Sequence, residues 1–160
     1  MRTKQANFFT CKVRYQKVYE DGFERGTSEN YVIDALSFTE AEERITEEMS
    51  SYISGEFEIK TITPCNFGEV VFSDDANADK WYKVKLQFIT IDEKTEKEKR
   101  TNSNYLVQAG SLNGAVKNTD EFMGGTMTDY NIASVQETNI EDVFEYQPKE
   151  QSSEEESADE

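Results

Sequence analysis

Tyr31-Val-Ile-Asp-Ala-Leu-Ser-Phe-Thr-Glu-Ala41 runs on to Glu47 and Met49. A weaker version of it, Tyr105-Leu-Val-Gln-Ala-Gly-Ser-Leu-Asn-Gly-Ala115, runs on to Glu121 and Met123. Tyr31, Ala35, Ser37, Ala41, Glu47 and Met49 stand at one constant offset from Tyr105, Ala109, Ser111, Ala115, Glu121 and Met123. Self-similarity at a fixed spacing marks one supersecondary unit used twice. Each copy reads as the end of a strand followed by a helix. Tyr31, Ile33 and Ala35 share a strand face, and Ala41, Ile45, Met49 and either Tyr52 or Ile53 recur at helical spacing. Thr39 and Glu42 have the spacing of a capping box, and Ser54-Gly55 closes the helix.

Outward from these stretches the same grammar appears on both sides. Phe9, Cys11, Val13 and Tyr15 alternate with Phe8, Thr10, Lys12, Arg14 and Gln16, the period of a strand with one face buried. Tyr82, Val84, Leu86 and Phe88 alternate with Trp81, Lys83, Lys85 and Gln87 in the same way. Loose hairpin tips are expected at residues 19–27 and 92–101, the second a run of Glu and Lys that must be solvated. Phe57, Ile59 and Ile62 begin a strand region that Pro64 interrupts, and residues 69–72 add a short strand; Tyr130, Ile132, Val135 and Val143-Phe144 match them in the second half. The expected fold class is α+β: two tandem β-β-α-β repeats forming a pseudo-twofold domain with antiparallel sheets. Residues 1–73 make the first unit and 74–146 the second, sharing one domain, and 147–160 form a disordered acidic C-terminal tail with no core formers.

Composition narrows the function classes. The chain has no histidine, which removes Ser-His-Asp and Cys-His machinery and His-containing zinc sites. Cys11 and Cys65 are too few for a structural zinc site and read as reduced, buried thiols. Asp74-Asp75 and Asp79 lack the ligand spacing of a calcium loop and read as a solvated joint. The expectation is therefore no enzyme, no metal and no cofactor. No apolar run is long enough to cross a bilayer, and Met-Arg-Thr-Lys is followed by no apolar signal region, so a cytoplasmic protein is expected.

Net charge is −16, which opposes loose adhesion to nucleic acid. The acid is concentrated, however, in Glu40, Glu42, Glu43, Glu47 and Glu48 and in the tail. Against that background Phe8, Lys12 and Arg14 share one strand face, and Trp81, Lys83 and Lys85 share its counterpart. Aromatics beside cations on equivalent strands are how single strands are held, by base stacking with phosphates followed by Lys and Arg. These six residues are the candidate nucleic-acid site. Ordinary solvated strand residues would use the same types, and Asp34 falls on the same face.

Glu154, Glu155, Glu156, Asp159 and Glu160 make a tail that resembles those of the acidic-tailed single-stranded DNA-binding proteins of bacteria and phages. The resemblance implies recruitment of replication proteins, although such tails commonly end in an apolar residue and this one ends Ser-Ala-Asp-Glu. Cys11-Lys-Val-Arg-Tyr15, Asp34-Ala-Leu-Ser-Phe-Thr-Glu-Ala41, Phe72-Ser-Asp-Asp75 and Lys85-Leu-Gln-Phe-Ile-Thr90 are similar to an uncharacterised domain family of bacteria and their phages, over nearly the whole chain. That likeness carries no activity with it. The expected function is a non-enzymatic single-stranded DNA-binding accessory protein of replication or recombination, phage or mobile-element encoded, self-associating through its sheets. The alternative is an acidic protein-binding module, an adaptor, inhibitor or DNA mimic, using the helix acids and the tail.

Overall fold

The computed structural model of the chain describes residues 1–146. The acidic segment 147–160, with its expected disorder and its partner-binding acids, lies outside the described residues. Over the described residues the fold is α+β, with two helices and nine strands in two sheets. In chain order the elements are β1 (Arg2–Lys4), β2 (Phe8–Val18), β3 (Glu24–Asp34), α1 (Phe38–Tyr52), β4 (Phe57–Cys65) and β5 (Phe67–Phe72). They are followed by β6 (Lys80–Ile91), β7 (Glu98–Ala109), α2 (Leu112–Gly124), β8 (Tyr130–Glu137) and β9 (Ile140–Phe144).

One sheet has the order β4-β2-β3-β9 and the other β1-β5-β7-β6-β8. The expectation of antiparallel sheets is corrected in one respect: β9 runs parallel to β3, and β5 parallel to β7. The reason is a change of sheet. The chain leaves β4 at Cys65 and enters β5 at Phe67 in the other sheet, and it passes from β8 to β9 across Thr138 and Asn139. The segments 1–73 and 74–146 therefore each place a strand in the sheet built around the other's hairpin. Pro64 does not interrupt β4, because β4 is an edge strand and a proline there forfeits no ladder bond.

Each helix covers one face of one sheet. Ala41, Ile45 and Met49 of α1, with Ile53 at its C-cap, pack on Phe9, Cys11, Val13, Tyr31 and Ile33, and Tyr52 is left exposed. Ala115, Thr119 and Met123 are the buried stripe of α2, whose core partners include Tyr82, Val84, Leu86, Tyr105 and Val107. The helix start differs from the sequence reading. Ser37, not Thr39, caps α1: its hydroxyl accepts from the Glu40 N–H, and the Glu40 carboxylate accepts from the Leu36 N–H. Ser111 does the same for α2 through the Gly114 N–H.

The two remaining sheet faces meet each other. Phe8, Val32 and Val143 come from one sheet, and Val70, Phe72, Trp81 and Leu106 from the other, to form a third buried cluster. The layers thus run helix, sheet, sheet, helix. Contact is confined to one stretch of each hairpin, because β2 and β6 are buried at their first residues and exposed toward their tips. Among the described residues no helix is long and apolar enough to cross a membrane.

Candidate nucleic-acid interface

The register of the ladders shows which side chains share the sheet faces opposite the helices. On the four-stranded sheet Lys12 stands between Asn30 and Thr61, and Arg14 between Ser28 and Glu58. On the five-stranded sheet Lys83 stands between Leu106 and Gln136, Lys85 between Asn104 and Ser134, and Gln87 between Asn102 and Asn131. In both sheets the register slips just past a lysine, after Lys12 and after Lys85. A slip of this kind adds twist, which turns the rest of the strand away from its neighbours.

The six residues read from the sequence divide sharply. Phe8 and Trp81 do share the predicted face, but it is closed where they lie: they are 1 % and 2 % exposed and sit together in the inter-sheet core. The expectation that these rings form an accessible stacking platform is therefore corrected. Large apolar rings at the point where the sheets meet have more area to remove from water than any neighbour, and the core takes them. Lys12, Arg14 and Lys83 are exposed and Lys85 half-buried, two on each sheet. The structure gathers the rings in one cluster and puts the two pairs of cations on different sheets.

The described cations fall into two sets, those that meet a carboxylate and those that do not. Arg2, Lys4, Lys17, Arg25, Arg44, Lys60, Lys80 and Arg100 each have a carboxylate partner. Among the described residues Lys12, Arg14, Lys83 and Lys85 have none, and neither do Lys94, Lys97 and Lys99 around the second hairpin tip or Lys117 of α2. Glu58, opposite Arg14, is engaged by Lys60 at 3.1 Å. Otherwise the strand carboxylates of these two faces are Asp34 at the buried end and Glu24 and Glu98 beside the hairpin tips. Asp34 is already occupied by Arg44 at 2.8 Å and Lys4 at 2.5 Å. In a chain with 33 acidic residues, the open ends of both faces carry cations, amides and hydroxyls, with Glu58, Glu24 and Glu98 as their carboxylates.

The Arg14 guanidinium lies close over Gly26 of β3. A Cβ at Gly26 would lie 3.0 Å from its Nη2 and 3.4 Å from Gln16 Nε2, so glycine at that place leaves room for the guanidinium to lie across β3. Sequence alternation found the cations but missed Asn102, Asn104, Asn131, Ser134 and Gln136, which share their face. Placing these needs the register of β7 and β8 against β6, and the slip after Lys85 breaks the simple count.

The helix side is acidic. Glu42, Glu43 and Glu47 are exposed on α1. Beside its last turn a cavity of about 350 Å³ is lined by Tyr31, Glu48, Tyr52, Glu141, Asp142 and Phe144. Burial pushes the Asp142 carboxyl above its ordinary value, against the lowering effect of the Val143 N–H. Deeper in, the buried Glu29 carboxylate accepts from the hydroxyls of Tyr15 and Tyr31 at 2.5 and 2.6 Å. Both hydroxyls are held well above the usual tyrosine range, first by burial and then by those bonds. Among the described residues no three Cys, Asp or Glu side chains converge as metal ligands would. Asp75 instead accepts from the Asn77 N–H within its own loop.

The arrangement can be compared with known proteins. Residues 7–146 match the family model described as Domain of unknown function (DUF4494). The chain belongs to this family. The matched span takes in every element from β2 to β9, both helices and both open faces, and leaves out β1 and the acidic segment. No curated protein and no solved structure matches the chain.

Proposed function

We propose that the chain is a non-enzymatic single-stranded DNA-binding accessory protein of replication or recombination, working in the cytoplasm. The observation that supports the reading is the placing of two cations without carboxylate partners among the described residues on each open sheet face, while Glu42, Glu43 and Glu47 stand exposed on α1. Phosphates satisfy such cations, and the release of counterions supplies the affinity. Two cations on each face suit a single strand, whose charges are spaced twice as widely along its axis as those of a duplex. Phe8 and Trp81 take no part, so binding here rests on phosphate contacts with amides and hydroxyls beside them. The reading also takes the two β-β-α-β segments as copies of one unit, and the acids Glu154, Glu155, Glu156, Asp159 and Glu160 as the contact for replication proteins.

The test is fluorescence anisotropy of a labelled oligonucleotide with the full chain across a salt series. Neutralising Lys83 and Lys85 lowers the slope of log affinity against log salt by about 1.4, roughly 0.7 for each phosphate no longer neutralised. Absence of binding at low salt, or an unchanged slope in the variant with Lys12, Arg14, Lys83 and Lys85 all replaced by alanine, ends the proposal.

A second reading, an acidic module that engages a basic protein, is favoured by the cavity formed by Tyr31, Tyr52 and Phe144 with Glu48, Glu141 and Asp142. Aromatic walls with carboxylates suit a Lys or Arg side chain. Charge reversal at Glu42, Glu43 and Glu47, read by pull-down, separates the two, because it removes protein partners and spares oligonucleotide binding.

A further inference from the structure

We infer that the open face of the five-stranded sheet reads base edges, so that binding prefers adenine-bearing strands. This rests on the DNA-binding reading and goes beyond it. The two faces are unlike in chemistry. Beside Lys12 and Arg14 stand Asn30, Ser28, Thr61 and the carboxylate of Glu58, with Gln16 one row further, so this face holds two amides and a carboxylate. Beside Lys83 and Lys85 stand Gln87, Asn102, Asn104, Asn131 and Gln136, five primary amides on three adjacent strands.

To a phosphate an amide offers only its N–H donors, and its carbonyl oxygen finds no use there. Its own geometry, a donor beside an acceptor, matches the adjacent donor and acceptor on a base edge. Adenine offers such a pair on both edges, N6–H with N1 and N6–H with N7, and in a single strand both edges are open. The amides lie in successive rows. Asn104 is level with Lys85, and Gln87, Asn102 and Asn131 are level with one another one row nearer the tip. Rows on one face of a strand are about 7 Å apart, a spacing an extended nucleotide strand can match. Asn102, Asn131 and Gln136 are exposed, and Gln87 is steadied by Arg100, whose Nη1 donates to Oε1 at 3.5 Å, leaving its amide N–H groups free to point outward. Lys83 and Lys85 then fix the strand by its phosphates while the amides sample its bases, the usual division between positioning and specifying contacts.

The experiment titrates the full chain, at low salt, with a labelled oligo-deoxyadenylate and with an oligo-deoxythymidylate of equal length. The deoxyadenylate binds about tenfold tighter, the discrimination expected of one good bidentate pair. In the N102A/N131A variant that ratio falls toward one while the salt slope stays as in the native chain. Equal affinity for the two strands overturns the inference, as does a variant that weakens both strands alike. Binding of neither strand is a separate result that removes the DNA-binding reading itself.

Discussion

Trp81 and Phe72 meet edge to face, their ring centroids 5.5 Å apart and their planes at 87°. The contact joins the start of β6 to the end of β5 inside the layer where the two sheets touch. The Trp81 carbonyl is used as well, accepting from the Thr138 N–H at 2.9 Å and its hydroxyl at 2.8 Å. Strand β8 is thereby tied down at the turn that sends the chain into β9. A ring in this place is part of the fold and is not available to a base.

Trp81 is the sole tryptophan, so its emission reports on the inter-sheet layer without interference. Native fluorescence should be blue-shifted, resist acrylamide and stay unquenched when oligonucleotide binds. Trp81→Ala should cost about 3–5 kcal/mol in urea unfolding, with Trp81→Phe milder and leaving oligonucleotide affinity unchanged. Quenching of the native emission by a bound strand would show that the ring is reached after all.

Asp34 fastens several parts of the chain at once. Its carboxylate, 6 % exposed, meets Arg44 of α1 at 2.8 Å and Lys4 of β1 at 2.5 Å. It also accepts from the Tyr146 N–H at 2.6 Å, and the Arg44 guanidinium lies 5.2 Å from the centre of the Tyr146 ring. Asp34→Ala leaves Arg44 nearly buried without its counter-charge, which costs about 3–5 kcal/mol. Asp34→Asn keeps an acceptor and loses less. A urea midpoint for Asp34→Ala that implies under about 1 kcal/mol, the worth of a surface ion pair, would show that the cluster is not a buried one.

Alkaline pH should weaken the fold through Cys11. Burial, with a smaller contribution from nearby Cys65, pushes its thiol from 9.0 up to about 12. Between these values the unfolded chain loses the proton and the folded chain keeps it, so the unfolded state binds fewer protons and stability falls as pH rises. Below pH 9.0 both states are protonated and Cys11 adds no pH dependence. Tyr15 and Tyr31, also raised, act in the same direction at higher pH. Denaturant midpoints should stay level up to about pH 9 and then drop, with Cys11 contributing a slope approaching 1.4 kcal/mol per pH unit, about one proton's worth. Cys11→Ala, whatever its effect at neutral pH, should have the shallower alkaline limb. Limbs of equal slope would remove Cys11 as the cause.

Much of the molecule was legible because its signals are local. The stripe Ala41, Ile45, Met49 lies under α1, and the alternation of Phe9, Cys11 and Val13 against Phe8, Lys12 and Arg14 assigns the two faces of β2 as expected. The hairpin registers follow from the same alternation, since a slip of one residue would put every core side chain into water. The cap of α1 lies two residues before the one the spacing suggests, because Ser37 with Glu40 and Thr39 with Glu42 have the same capping-box spacing. Strand β1 has no signal in the sequence: three residues, Arg2 to Lys4, hold no periodicity to read, and their place is set by pairing with β5.

By itself, then, the sequence determined the helices, the hairpins and which residues share a strand face, all consequences of periods of 3.6 and 2 that span a few residues. Only the tertiary structure decided what each face meets. Whether Phe8 and Trp81 look onto water or onto each other depends on β5 and β9 changing sheets and drawing the two faces together at one end. The burial of apolar area drives that closure, and it involves residues far apart in the chain, so no local pattern encodes it. The same closure leaves Lys12, Arg14, Lys83 and Lys85 on the ends where the sheets do not touch.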